Sequence, residues 1–224
     1  HTLKTFLRKT FDIREGEYTR AFLMQIYIFL IISTLLIVKP TVNALFLSTY
    51  GVENLPIAFI LVAIFAGIVT TLYSRILLKI SLNKIIIGTL FFSVFSLIFF
   101  GIFLWLNFIE NVILYLFYIW VAIFALFTTS QFWVMANIVF NAREAKRLFG
   151  FIGAGAIAGG IFGGYLTSVL AQNISSEFLP FVCAILLSFC IPIVRKVWRE
   201  NVSNTQTQFQ QTNRIKGFGD HPFT

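Results

Sequence analysis

A bundle of six transmembrane helices, all-α and with both termini on one side of the membrane, is the fold class this sequence predicts. Three observations carry it. Hydrophobic residues fill 58% of the 224 positions and charged residues only 12%, whereas charge alone approaches a quarter of a soluble domain. The apolar residues fall into six runs, close to the ~20 residues a helix needs to cross a bilayer core. Finally, 16 of the 17 Lys and Arg collect in clusters that a six-span threading places on a single side. Bases near span ends are held on the cytoplasmic side, so that side is read as cytoplasmic.

Residues 1–20 mix Lys4, Arg8, Lys9, Arg14 and Arg20 with Leu3, Phe6, Leu7, Phe11 and Ile13, the composition of a short helix lying on the membrane surface. This stretch is too polar, and the run after it too long, for a cleavable signal peptide. The spans are expected at 21–47, 55–74, 85–106, 112–140, 148–171 and 178–194, so that the transmembrane bundle occupies 21–195. Span one exceeds a bilayer core and must tilt, bend or protrude.

The turn after span two holds Arg75, Lys79 and Lys84. After span four comes a charged knot of Arg143, Glu144, Lys146 and Arg147, and the segment following span six holds Arg195, Lys196, Arg199, Arg214 and Lys216. The opposite loops carry only Glu53, Glu110 and Glu177. This alternation accounts for the net charge of +8 without a nucleic-acid partner. The partner it implies is the lipid bilayer. Residues 196–224 turn to Asn, Gln, Ser and Thr, a flexible polar linker by composition. With a first residue other than Met and a linker that leads nowhere, the chain is expected to be a piece of a longer protein.

Span five carries seven of the 14 glycines between Gly150 and Gly164. In water each would cost a helix about 1 kcal/mol relative to alanine. In lipid no solvent competes for the backbone, and small residues four apart let two helices approach closely. Gly155, Gly159 and Gly163 form one such ridge, Gly160 and Gly164 a second. The run lacks the lysine and the preceding strand that a phosphate-binding loop requires, so helix packing is the reading adopted. Cys183 and Cys190 stand seven apart in span six, about 10 Å along a helix. That exceeds the ~7 Å between Cα atoms that a disulfide tolerates, and both are read as buried thiols.

Chemistry inside the spans is sparse. Lys39 is the one base outside the clusters, and a charged group at depth faces a cavity, a partner or the interface. Pro40 cannot donate to the carbonyl of Leu36, as in the discontinuous helices that line transporter sites. Two readings stay open for Lys39: a cavity-facing cation, with Asn43 on the same face, or a side chain snorkelling to the outer surface. In span four Ser130, Trp133 and Asn137 form a polar and aromatic stripe, widened by Thr128, Thr129 and Gln131. It suits either interhelical hydrogen bonding or contact with a solute. The histidines, His1 and His221, sit at the two ends and no carboxylate lies inside a span. No metal site, catalytic group or cofactor is therefore expected, and no enzymatic activity.

FWVMAN (132–137) and REAKRLFGFIGAGAIAGGIFGG (143–164), with DIREGE (12–17), LIVKPTVNALFLSTYG (36–51) and NLP (54–56), resemble the nucleotide (ATP/ADP) translocase group of the major facilitator superfamily. The resemblance covers about residues 11–224. It implies a protein of two six-helix halves with the substrate site between them, of which this chain looks like the N-terminal half and the inter-half linker. It implies a multi-pass protein of a bacterial inner membrane that exchanges a small anionic solute, with ATP and ADP as the specific case. Lys39, Asn43, Ser130, Gln131, Trp133 and Asn137 are then the expected substrate-binding residues. Val42 stands where the family tends to place a second base, and Asn43 where an acid is common. The missing half would have to supply further cations for a triphosphate. The competing expectation is a membrane anchor or sensing module for a fused soluble domain, which moves nothing.

Overall fold

The computed structural model describes residues 17–77, 80–106, 111–173 and 178–219, with side chains as far as Asn201. Six helices follow one another: α1 (Tyr18–Tyr50), α2 (Leu55–Leu77), α3 (Leu82–Trp105), α4 (Asn111–Val139), α5 (Ala142–Asn173) and α6 (Leu179–Gly219). A single 3-10 turn, Val52–Asn54, joins α1 to α2, and no strand occurs among the described residues. All six helices contain a stretch long and apolar enough to cross a membrane. The chain is a multi-pass membrane protein. Of the surface helix expected over residues 1–20, positions 1–16 lie outside the described residues.

Local chemistry explains where the helices begin and end. Gly51 closes α1 with φ 73°, a left-handed conformation that glycine adopts without strain, and its N–H reaches the Leu47 carbonyl at 3.0 Å. Pro56 sits in the first turn of α2, where its missing N–H costs nothing.

The charged knot behaves differently from a loop. Asn141 Oδ1 accepts the N–H groups of Arg143 (3.1 Å) and Glu144 (2.9 Å), while Glu144 Oε2 accepts the N–H of Asn141 (2.9 Å). This reciprocal cap satisfies three otherwise orphaned donors. It starts α5 at Ala142, six residues ahead of the expected 148, and the knot becomes the helix's first turns. At the other end of the chain the backbone stays helical to Gly219, where composition suggested an irregular linker. Between Pro192 and Gly217 the sequence has neither glycine nor proline to stop it.

α1 is the axis of the bundle. It packs against α4, α5 and α6, while α3 packs mainly on α6 and α2 mainly on α4. Over its apolar window α1 is 56% buried and α2 only 6%. Tyr27, Phe46, Phe117, Phe132 and Met24 are the largest side chains completely enclosed. At the end away from the basic clusters, Phe46, Tyr50, Tyr115 and Tyr118 pack ring against ring with centroids 4.7 to 5.0 Å apart. Lipid tails are as apolar as leucine, so such close packing and interhelical hydrogen bonds, rather than escape from water, hold the helices together.

Candidate functional site

The site residues named from the sequence distribute over three places, and the seam between α1 and α5 is the most tightly built. A Cβ on Gly155 would stand 2.6 Å from the Gln25 carbonyl oxygen, one on Gly159 2.5 Å from that of Phe29, and one on Gly163 2.7 Å from that of Ser33. Any side chain there would force the helices apart. Gly160 has only the Leu36 side chain nearby, at 3.6 Å, and Gly164 has nothing within 4 Å, so the second ridge does not meet a backbone.

Three side chains lace the same seam. Gln25 Nε2 donates to the Phe151 carbonyl at 3.0 Å, Ser33 Oγ approaches the Gly159 carbonyl at 3.1 Å, and Thr167 Oγ1 approaches the Leu36 carbonyl at 2.9 Å. Sequence reasoning missed these partners. The signal was present, since Gln25, Phe29 and Ser33 repeat every four residues, in step with the three glycines opposite.

Lys39, Pro40 and Asn43 lie just beyond this seam. α1 runs through Pro40 without a break. The Leu36 carbonyl, deprived of an N–H at position 40, takes the Thr167 hydroxyl instead. The expectation of an unpaired acceptor in a discontinuous helix is thereby corrected: α5 supplies the donor.

Lys39 is exposed and Asn43 half-buried. By helical rise Lys39 is about 4.5 Å past Leu36, whereas α5 continues about 9 Å past Thr167 and α1 about 16 Å past Lys39. The ammonium group thus leaves the helix well short of its end, beside α5 and on a bundle-exposed edge.

On α4 the polar stripe splits. Gln131 is buried and points toward α2 and α3, its Nε2 donating to Tyr73 Oη and Thr89 Oγ1, both at 3.0 Å. Ser130, Trp133 and Asn137 face outward. Asn137 Nδ2 donates to its own helix at the Trp133 carbonyl, 2.9 Å, and the Trp133 ring rests edge-on against Phe149, centroids 5.6 Å apart. Asn137 lies two residues from Val139, the carbonyl that accepts Arg20 Nη1 at 3.1 Å. Lys39 is about 28 Å along α1 from Arg20. Asn137 therefore lies at the basic end and Lys39 about two-thirds of the way along α1 from it, so the two are not gathered in one cluster.

At the basic end the charged knot is bound into the fold. Arg147 Nη2 meets both oxygens of Glu17, at 3.0 and 2.9 Å, and Arg20 Nη2 lies 3.6 Å from Glu144 Oε1. Arg143 and Lys146 remain exposed. Two ion pairs, each partly shielded from solvent, thus fasten the start of α1 to the start of α5. Glu17 and Arg20 went unnamed as site residues because their partners lie more than 120 residues away in sequence.

Cys183 and Cys190 are free and enclosed. No group of His, Cys, Asp or Glu suited to a metal ion occurs among the described residues. The arrangement offers one exposed cation beside an amide partway along α1 and an exposed amide and indole near the basic end. No family model, curated protein or solved structure matches the chain.

Proposed function

We propose that the chain is one six-helix half of a secondary transporter for a small anionic solute, built on the major facilitator plan, with its basic end in the cytoplasm of a bacterium. Nucleotide exchange of the ATP/ADP type is the first substrate pair to test. The observation that carries this reading is Lys39. It is the sole base outside the clusters, and it stands exposed on the helix that touches most of the others.

An ammonium group this far from a helix end is costly unless it faces an aqueous or polar cavity. Asn43, one turn away, adds two donors and an acceptor for an oxyanion. In this reading Lys39 attracts the solute, Asn43 orients it, and Trp133 and Asn137 meet it at the far end of the path. The α1–α5 seam moves as a rigid unit against the second half. No covalent chemistry is involved.

Counterflow of labelled ATP and ADP into liposomes bearing the full-length protein tests the reading. Lys39→Ala should lower exchange at least about tenfold, the scale of a lost charge-assisted contact of roughly 1.5–3 kcal/mol, and Lys39→Arg should retain part of it. Transport indifferent to Lys39→Ala would remove the site. Transport of a neutral solute alone would remove the substrate class.

A further inference from the structure

α2 and α3 pack mainly on different partners, α4 and α6 respectively, and the space between them is not filled by side chains. It forms a cleft of about 510 Å³, within the roughly 300–1,000 Å³ of ordinary ligand pockets. Val69 and Tyr73 of α2, Gly88 and Phe92 of α3, and Trp120 and Phe127 of α4 line it. Gly88 has nothing within 4 Å of where a Cβ would stand, so the α3 wall is open at that point. On α4 the lining runs from Trp120 to Phe127, about 10 Å of helix.

One rim of the cleft is basic. Lys84 stands one turn before Gly88, on the same face of α3, and is exposed, about 6 Å along the helix from the lining, whereas Arg75, two residues past Tyr73, leaves the opposite face of α2. Tyr73 Oη accepts from Gln131 and donates to nothing among the described residues, so its proton is available at the same rim.

An apolar trough ending in a cation and a hydroxyl donor fits an amphiphile with a negative head. We propose that this cleft binds an anionic phospholipid. One acyl chain lies between α2 and α3 against Trp120 and Phe127, the phosphate sits at Lys84, and Tyr73 donates to an ester or phosphate oxygen. The site is open to the bilayer along α2, the least buried span, and the proposal is independent of what the chain transports.

Trp120 makes the site readable. Trp105, Trp133 and Trp198 are replaced by Phe, leaving Trp120 as the sole tryptophan. The protein is then reconstituted in phosphatidylcholine vesicles containing a small, equal fraction of either brominated-chain phosphatidylglycerol or brominated-chain phosphatidylcholine. The anionic lipid is expected to quench Trp120 more strongly at the same mole fraction. Lys84→Gln should reduce that preference roughly fivefold, Lys84→Arg should keep it, Arg75→Gln on the far face of α2 should change it less, and Gly88→Leu should diminish quenching by both lipids. An unchanged Trp120 emission maximum in the Gln variants reports an intact bundle. Equal quenching by the two lipids, insensitive to Lys84→Gln, would show ordinary boundary lipid and overturn the proposal. Absence of quenching would show a cleft closed by protein and overturn it equally.

Discussion

Pro40 has no N–H to give, and the carbonyl it would have served, that of Leu36, lies within an apolar span. Thr167 on α5 provides the missing proton to Leu36, although its single hydrogen is shared with the Gly163 carbonyl at 2.7 Å. The hydroxyl is therefore worth more with Pro40 present than without. Thr167→Val should destabilise the protein by about 0.6–1.7 kcal/mol, the range for hydrogen bonds between membrane helices. In a Pro40→Ala background, where residue 40 regains its own N–H, the same substitution should cost distinctly less. A double-mutant cycle on unfolding in mixed micelles measures the difference. Equal costs in both backgrounds would mean that Thr167 serves only its own helix. At this scale the sequence showed which residues were unusual, Lys39, Pro40 and Gln131 among them, but not which way they face. Gln131 and Trp133 are two positions apart in an apolar run, yet one knits α2 and α3 to α4 while the other looks outward. Nothing in the run's composition marks a lipid side, because both sides of a membrane helix are apolar.

The α1–α5 pair shows what a periodic pattern can and cannot specify about an element. A glycine every four residues says that something approaches closely, and the facing carbonyls of Gln25, Phe29 and Ser33 are what approaches. It does not say which of two adjacent ridges is used. Substitution separates them. Gly159→Ala places a methyl group 2.5 Å from the Phe29 oxygen and should cost roughly 1–3 kcal/mol, the usual penalty of overpacking. Gly164→Ala meets nothing within 4 Å and should be neutral or slightly stabilising through helix propensity. Thermal unfolding of the two variants in detergent reads the contrast directly, and equal losses would place the helix contact elsewhere. The start of α5 was less legible. Four charged residues within five positions look like a loop until Asn141 and Glu144 are recognised as a reciprocal cap, after which the same residues are a helix start whose first turns carry ion-pair partners for α1.

For the whole molecule, the number of spans was legible because bilayer thickness fixes helix length and the apolar runs are separated by turns. Their arrangement was not. α1 and α2 have equal mean hydropathy over their apolar windows, 2.5 in each, yet 56% of one window and 6% of the other is buried. In water such a difference would be written in composition; in a bilayer, lipid satisfies an apolar surface as well as protein does. What remains to be tested at this scale is the threading, since it fixes which end of the bundle Lys39 opens toward. Glu53 lies in the exposed turn between α1 and α2, and Lys146 lies exposed near the start of α5, next to the ion pairs that hold the basic end. Introduced cysteines at these two positions should report opposite compartments. Glu53→Cys should react with an impermeant maleimide added to intact cells, and Lys146→Cys only once the membrane is opened. The native thiols need not be removed, because Cys183 and Cys190 are both 0% exposed inside the bundle. If both introduced thiols react from one side, an even number of crossings no longer separates the basic clusters, and Lys39 no longer opens away from them. The anion path proposed along α1 would then have no second end.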